Sequence, residues 1–361
     1  MIRFLSTLLL ALAGGALFSL LHIPIAWLLG PMVAVFIGVR LIRSLQPNWP
    51  TSMRNTAMIL IGYSFGLSLT HETLLEMWRQ LPTMLLMTVL LMLFCGLIAF
   101  VVSKLTGQPL ATSLMGSIPG GLSQMIMLAE DSKDIDLTVV TFMQVSRLML
   151  IVLCIPPLIF SPLFGGVHPA DAARAVAEGA TWEGLLPNAL WFAPIIVAAA
   201  FLGQKIKLPT AFLLGPMIAT AVVNLSGLEG PALPSTVLNA AQLMIGAYIG
   251  LLLHPEKLQH KVRTIGLALA SGLILIGGTL GLSAFLTVLH PLSPATAFLS
   301  MAPGGMDQMG LIAKEIHADP GIVTCYQLFR TWFIFFAVTP LMRVLLKRMA
   351  HRGQTAEDKA L

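Results

Sequence analysis

The sequence contains one long internal repeat, with an offset of 183 to 185 residues. Residues 23–32 match residues 208–217 at seven of ten positions, and both copies contain Leu-Leu-Gly-Pro-Met. Self-similarity at a fixed offset marks duplicated structural units. The sequence therefore predicts two homologous halves, residues 1–160 and 186–346. A linker loop at 161–185 joins them, and a cytoplasmic tail follows at 347–361.

Both halves consist mainly of apolar, uncharged runs. Hydrophobic residues make up 57% of the chain and charged residues only 10%, whereas soluble domains carry about 25% charged residues. A helix needs about 20 apolar residues to cross the hydrocarbon core of a bilayer. We therefore expect an all-α integral membrane protein whose direct partner is the lipid bilayer. The basic residues are spread along the chain, so no nucleic-acid partner is predicted.

The positions of the basic residues favour one of two topologies. If all six apolar segments of each half crossed the membrane, eleven Lys and Arg would lie inside and eight outside. If residues 108–130 and 293–315 enter and leave on one side, sixteen lie inside and three outside. Cytoplasmic loops carry the excess of basic residues. This predicts an inverted repeat of about ten transmembrane helices plus two re-entrant Pro-Gly-Gly hairpins, with both termini in the cytoplasm.

Each predicted hairpin contains Pro-Gly-Gly-x-x-Gln-Met, at 119–125 and 303–309. Proline ends one arm, and the glycines permit a tight reversal. The second arm would begin with free N–H groups and the positive end of its dipole, which favours an anion. The alternative is a kink used for close helix packing. The candidate binding residues at the tips are Gly120, Gly121, Gly304 and Gly305.

Polar residues follow directly in the second arm of each hairpin. Gln124 and Gln308 occupy matching positions and are candidate substrate-binding residues, because polar groups inside a membrane are costly. Asp307 stands where the first half has Ser123. Two interpretations of Asp307 are open: it binds the coupling ion, H⁺ or Na⁺, or it pairs with Arg147 or Arg330.

A Thr-x-x-Gln-x-x-Arg stripe occurs once in each half. Steps of three place its side chains on one face of a helix, and helices starting near 137 and 320 would bury each arginine about 15 Å deep. An arginine there binds an anionic substrate, or it clamps carbonyl groups of the hairpin tips. The stripe adds these candidate binding residues: Thr141, Gln144, Arg147, Thr324, Gln327 and Arg330.

Other repeated features indicate packing. The pairs Gly62/Gly66 and Gly246/Gly250 have the small-residue spacing that lets helices approach closely. The Leu-Leu-Gly-Pro-Met copies are also interpreted as packing elements, with the re-entrant arms as a possible neighbour. The histidines show no metal-binding spacing, and phosphate-loop, dinucleotide and nucleophile motifs are absent. We expect no enzyme activity, no metal and no cofactor.

These duplicated motifs resemble those of the Gram-negative AbrB-type membrane protein family, over about residues 5–350. The resemblance implies an inner-membrane protein, and members are labelled as ammonia monooxygenases or regulators of aidB expression. The layout is also similar to that of the glutamate and citrate sodium symporters, which is an architectural analogy.

The leading functional hypothesis is a secondary transporter of a small organic anion in the bacterial inner membrane, coupled to H⁺ or Na⁺. The alternative is a non-transporting membrane regulator of gene expression, and a membrane ammonia monooxygenase ranks third. A homo-oligomer is possible, but no helix face in the sequence identifies its interface.

Overall fold

The computed structural model describes residues 2–23, 25–41, 47–119, 135–159, 161, 164, 182–208, 210–228, 230–252, 261–316 and 318–344. Within these ranges the chain is helical and forms no strand. The predicted all-α class is therefore confirmed for the part of the chain that the structure describes. The tail at 347–361 and most of the predicted linker lie outside it.

The helices of the two halves follow one another in matching order. The first half contains α1 (Ile2–Leu20), α2 (Ala26–Leu41), α3 (Thr51–Ser68), α4 (His71–Thr106), α5 (Leu110–Ser117) and α6 (Leu137–Ile159). The second half contains α7 (Trp182–Lys205), α8 (Ala211–Leu225), α9 (Ser235–Leu252), α10 (Lys261–Leu289), α11 (Pro294–Met301), α12 (Met306–Glu315) and α13 (Pro320–Phe333). A π-helical turn at Ile334–Val338 follows α13 directly.

Side-chain caps explain several helix starts. Asp319 Oδ1 accepts the backbone N–H of Ile322 at the start of α13, and Pro320 occupies its first turn. Asp136 plays the same part in front of α6. Helix α4 begins at His71, because the side chain of Thr70 caps it at that point.

In the second half the Pro-Gly-Gly segment is a broken helix, and in the first half the structure describes only the short helix that precedes this segment. Helix α5 has 8 residues, and residues 302–305 separate α11, also of 8 residues, from α12, of 10 residues. At 1.5 Å per residue each piece is only about 12–15 Å long, half the thickness of the hydrocarbon core. Helices α11 and α12 also pack against each other. The predicted break is confirmed in the second half, while the inverted orientation stays a prediction.

The two halves pack closely against each other at the glycine pairs. A Cβ atom on Gly66 of α3 would lie 2.6 Å from the carbonyl oxygen of Met217 in α8. Its counterpart on Gly250 of α9 would lie 2.5 Å from the carbonyl oxygen of Met32 in α2. The close-packing interpretation of these glycines is confirmed. The neighbours of each Leu-Leu-Gly-Pro-Met segment thus include the third helix of the opposite half and the first helix of its own half.

The outer surface of the bundle is strongly apolar. Exposed large side chains include Leu93, Trp78, Trp191 and Val288, the last 81% exposed. Soluble monomers rarely expose large continuous apolar areas. Among the described helices, six are long and apolar enough to cross a membrane, and α2, α8 and residues 191–205 of α7 are shorter apolar helices. The architecture is that expected of a multi-pass membrane protein.

Candidate functional site

The repeated stripe lies on the two most enclosed of the long helices. Helix α6 is largely buried by its neighbours, and more than half of the span that begins with α13 is buried too. Arg147 and Arg330 each lie ten residues into their helix, 7% and 4% exposed. This depth is about 15 Å along the axis. Both guanidinium groups therefore lie near the middle of the bundle.

Arg330 and Gln327 bind the end of the broken helix α11. Arg330 Nη1 donates to the carbonyls of Ala302 at 2.8 Å and Met301 at 3.3 Å, and Nη2 donates to Gly304 at 3.1 Å. Gln327 Nε2 donates to Leu299 and Ala302, at 2.8 and 3.1 Å. The Gln327 Oε1 atom accepts from Arg330 Nη2, which holds the two side chains together.

The first half repeats this arrangement at the end of α5. Arg147 Nη1 donates to the carbonyls of Ser117 at 2.9 Å and Gly116 at 3.2 Å. Gln144 Nε2 donates to Met115 and Ile118, at 2.6 and 2.9 Å. Its Oε1 accepts from Arg147 Nη2 at 2.6 Å. One structural unit therefore occurs twice, built from matching residues.

The geometry matches the clamp interpretation of the arginines. A helix leaves its last carbonyls without partners and carries partial negative charge at that end. The guanidinium and amide groups satisfy these carbonyls, which lets α5 and α11 end inside the bundle. Carbonyls are neutral groups, however, so each clamp still carries a full positive charge. Substrate binding by the same arginines therefore remains a separate prediction.

The two clamps lie close together. Cys95 of α4, which is fully buried, is within electrostatic range of both guanidinium groups, and these are within range of each other. Gly304, at the break of the second half, approaches Ile151 of α6, which lies one turn after Arg147. No carboxylate pairs with either arginine among the residues whose side chains are described. Two buried positive charges therefore share one region of the bundle.

The remaining candidates differ in how far the structure describes them. Gln308 is buried and its Oε1 accepts the backbone N–H of Gly305 at 2.9 Å, so it supports the turn at the break. Thr324 is fully buried and Thr141 is half-buried on the stripe face. The backbone of Asp307 lies in the first turn of α12, but its side chain is outside the described part. Outside it altogether are Gly120, Gly121 and Gln124.

The sequence analysis missed a series of three hydrogen-bonded side chains beside the stripe. The Tyr326 hydroxyl donates to Gln80 Oε1 at 2.8 Å, and Gln80 Nε2 donates to Glu76 Oε1 at 3.0 Å. Gln80 and Tyr326 are buried, whereas Glu76 is exposed. The sequence feature that could have revealed this network is Gln80, which lies between the charged Arg79 and the apolar run that follows it. Its position ties α4 to α13 next to the second clamp.

No metal centre is formed within the described ranges, where no three His, Cys, Asp or Glu side chains come together. The described polar groups of the site are its two buried guanidinium groups and the amides and hydroxyls around them. Guanidinium groups are strong donors to carboxylate and phosphate.

Comparison with known proteins assigns the family. The profile described as "Transition state regulatory protein AbrB" matches residues 1–109 and, in a second match, 27–346. This chain belongs to the AbrB family. It is 29% identical over 329 residues to "Putative regulator AbrB" of Escherichia coli, covering 91% of this chain and 92% of that protein. It is 27% identical over 353 residues to "Uncharacterized protein YhjN" of Bacillus subtilis, covering 92% and 90%.

Proposed function

We propose that this AbrB-family protein is a secondary transporter that moves a small organic anion across the bacterial inner membrane, coupled to H⁺ or Na⁺. The observation that carries this proposal is the pair of buried guanidinium groups, Arg147 and Arg330, without a described carboxylate partner. An arginine at the centre of a bilayer costs at least about 2.5–3.5 kcal/mol unless water or a counter-charge accompanies it. A mobile anion would supply that counter-charge.

In this proposal the broken helices form the centre of the transport path. Discontinuous helices at the interface of two repeats are the usual place of a transporter binding site. Gln144 and Gln327 hold the arginines in place, while Thr141, Thr324 and the tip glycines offer further hydrogen bonds to the anion. The coupling ion binds at Asp307. The halves are inverted, with ten crossings, two re-entrant hairpins and both termini in the cytoplasm.

Charge movement in reconstituted membranes tests the proposal. We expect purified protein in proteoliposomes on a solid-supported electrode to give transient currents on jumps of acetate, lactate, succinate or citrate, under a Na⁺ or H⁺ gradient. Arg147→Lys keeps the charge but loses the planar fork, so it should reduce the current at least tenfold. Arg343→Lys, an exposed position on the last helical segment, is the matched control and should behave as wild type.

The proposal fails if folded wild-type protein gives neither a current nor uptake of any of these anions, radiolabelled, above empty liposomes with either gradient. It also fails if the currents are the same for Arg147→Lys and Arg330→Lys as for wild type.

A regulatory role is the second candidate, because a relative bears the name of a regulator. It predicts altered transcript levels in a deletion strain, and these levels should be restored by a folded but transport-inactive Arg147→Lys protein. If only transport-active protein restores them, any effect on transcription follows from the transported anion. A membrane monooxygenase ranks third and predicts copper or iron in the purified protein.

A further inference from the structure

Two narrow cavities lie in line between α4, α5, α6 and α10. The first has a volume of about 10 Å³ and reaches Thr106, Gln108 and Thr264 near the helix ends. The second also has a volume of about 10 Å³ and reaches Arg147, Ser117 and Ser271. Each is just large enough for about one water molecule. Met143 of α6 lines both cavities, so it divides one from the other.

The lining residues advance by one helical turn from the first cavity to the second. On α5 the lining passes from Ser113 to Ser117, and on α10 it passes from Ala268 to Ser271 and Gly272. One turn is about 5.4 Å. The cavities therefore form one interrupted crevice, which leads from the ends of α4 and α10 to the buried Arg147.

Polar atoms without partners follow this crevice. The hydroxyls of Ser113 and Ser117 and the Nε of Arg147 are buried, and none of them has a hydrogen-bond partner among the described residues. The side chains are 1%, 6% and 7% exposed. A buried polar group left unsatisfied costs about 1–3 kcal/mol. Three such groups along one crevice indicate a place for a polar occupant.

The two arginines differ in the donors that they leave free within the described part of the chain. A guanidinium has five N–H donors. The recorded bonds of Arg330 involve four, two from Nη1 and two from Nη2. Those of Arg147 involve three, two from Nη1 and one from Nη2. Arg147 therefore keeps its Nε–H and one Nη2–H. These two donors lie on one edge of the guanidinium, which can donate two parallel hydrogen bonds to a carboxylate.

We propose that this crevice is the access path of the anion from the side of the membrane where α4 ends, and that Arg147 with Ser117 binds one carboxylate group at its inner end. The inference rests on the proposed function for its role in transport. Arg263, near the start of α10, donates to the carbonyl of Leu105 at the same end of the crevice. Because each cavity has room for only about one water molecule, the path must widen even for a small monocarboxylate, and Met143 acts as the gate between mouth and subsite.

Charge-selective labelling of a cysteine in the crevice tests this proposal without a transport assay. Ser271→Cys places a thiol of similar size on the lining, in a Cys154→Ser background because Cys154 is half-buried while Cys95 and Cys325 are buried. Thr287→Cys is the control on the same helix, equally half-buried and about 24 Å away along the axis. The probes are anionic and cationic methanethiosulfonates of similar size, and acetate serves as the competitor.

For each variant we compare the labelling rate of the anionic reagent with that of the cationic one. We expect this ratio to be about tenfold or more higher in the Ser271→Cys variant than in the Thr287→Cys variant, because a positive cleft concentrates anions. Acetate should slow labelling of the crevice thiol but leave the control thiol unchanged, with chloride at the same ionic strength as reference. Adding Arg147→Lys should abolish the protection by acetate. Adding Met143→Phe, which fills the gate, should slow labelling of the crevice thiol while the unfolding temperature is retained.

Equal rates for both reagents, or no protection by acetate, would overturn the crevice site even if proteoliposomes transport anions. If labelling is selective and acetate-protected but proteoliposomes show neither current nor anion uptake, the binding site is kept and the transporter proposal is refuted. If Met143→Phe leaves the labelling rate of the Ser271→Cys variant unchanged, Met143 is not the gate and the access path lies elsewhere.

Discussion

Gly66 and Gly250 provide the sharpest test of how the two halves fit together. An alanine Cβ at Gly66 would lie 2.6 Å from the Met217 carbonyl oxygen, and one at Gly250 would lie 2.5 Å from that of Met32. Carbon–oxygen contacts between packed backbones are normally about 3.3–3.6 Å. Each alanine must therefore separate two helices by about 0.7–1 Å, and the obstructing atom is backbone that cannot rotate away.

The expected cost follows from these distances. Overpacking of this kind costs about 1–3 kcal/mol, partly offset by the gain of about 0.8–1.0 kcal/mol when alanine replaces glycine in a helix. Gly96→Ala is the matched control, because a Cβ at Gly96 of α4 meets nothing within 4 Å. It should stabilise the protein by up to about 1 kcal/mol.

Thermal unfolding in one detergent, followed by intrinsic fluorescence, measures the difference. We expect Gly66→Ala and Gly250→Ala to unfold below wild type and Gly96→Ala at or above it. The two site variants should show similar losses, since they occupy matching places in the two halves. If all three alanine variants unfold at the same temperature, the close approach of α3 to α8 and of α9 to α2 is refuted.

Three further predictions concern helix ends and the broken helices. Gln327→Leu removes the amide that donates to three carbonyls of the α11 end, so it should destabilise the protein by about 2–4 kcal/mol in thermal unfolding. An unchanged unfolding temperature would contradict the clamp. Asp319→Ala removes the cap of α13 and should cost about 1 kcal/mol, largely recovered in Asp319→Asn, whose side chain also caps helices; equal losses for both would point to charge instead of capping. In an inverted repeat, Gly120→Cys should be labelled by an impermeant reagent from the cytoplasm and Gly304→Cys from outside, and labelling of both from one side would indicate parallel halves.

Much of the helical framework could be predicted from the sequence. The starts of α6 and α13 were predicted at 137 and 320, where an aspartate cap precedes each helix and proline opens the second. The break at 302–305 followed from Pro-Gly-Gly, which a continuous helix does not tolerate. The close contacts of Gly66 and Gly250 followed from small-residue spacing. These features are local, so the sequence displays them directly.

The sequence predicted two alternatives for the arginines, substrate binding and a carbonyl clamp, but could not decide between them. The sequence shows that Arg147 lies deep, but its carbonyl partners at Gly116 and Ser117 come about thirty residues earlier. Only the packing of α5 against α6 decides whether a guanidinium donates to these carbonyls or to a ligand. The packing of each Leu-Leu-Gly-Pro-Met segment against the opposite half was missed for the same reason. A repeat in the sequence does not show whether an element packs on its own half or on the other one.

The central claim is that the buried arginines hold an anion, and binding to the purified protein tests it most directly. The measurement is the shift in unfolding temperature of wild type and Arg147→Lys in lipid nanodiscs as acetate replaces chloride at constant ionic strength. A ligand at one hundred times its Kd stabilises the folded state by about 2.7 kcal/mol. We expect wild type to be stabilised by saturating acetate and Arg147→Lys to show no shift. Equal behaviour of the two proteins in acetate, lactate and succinate would contradict the account.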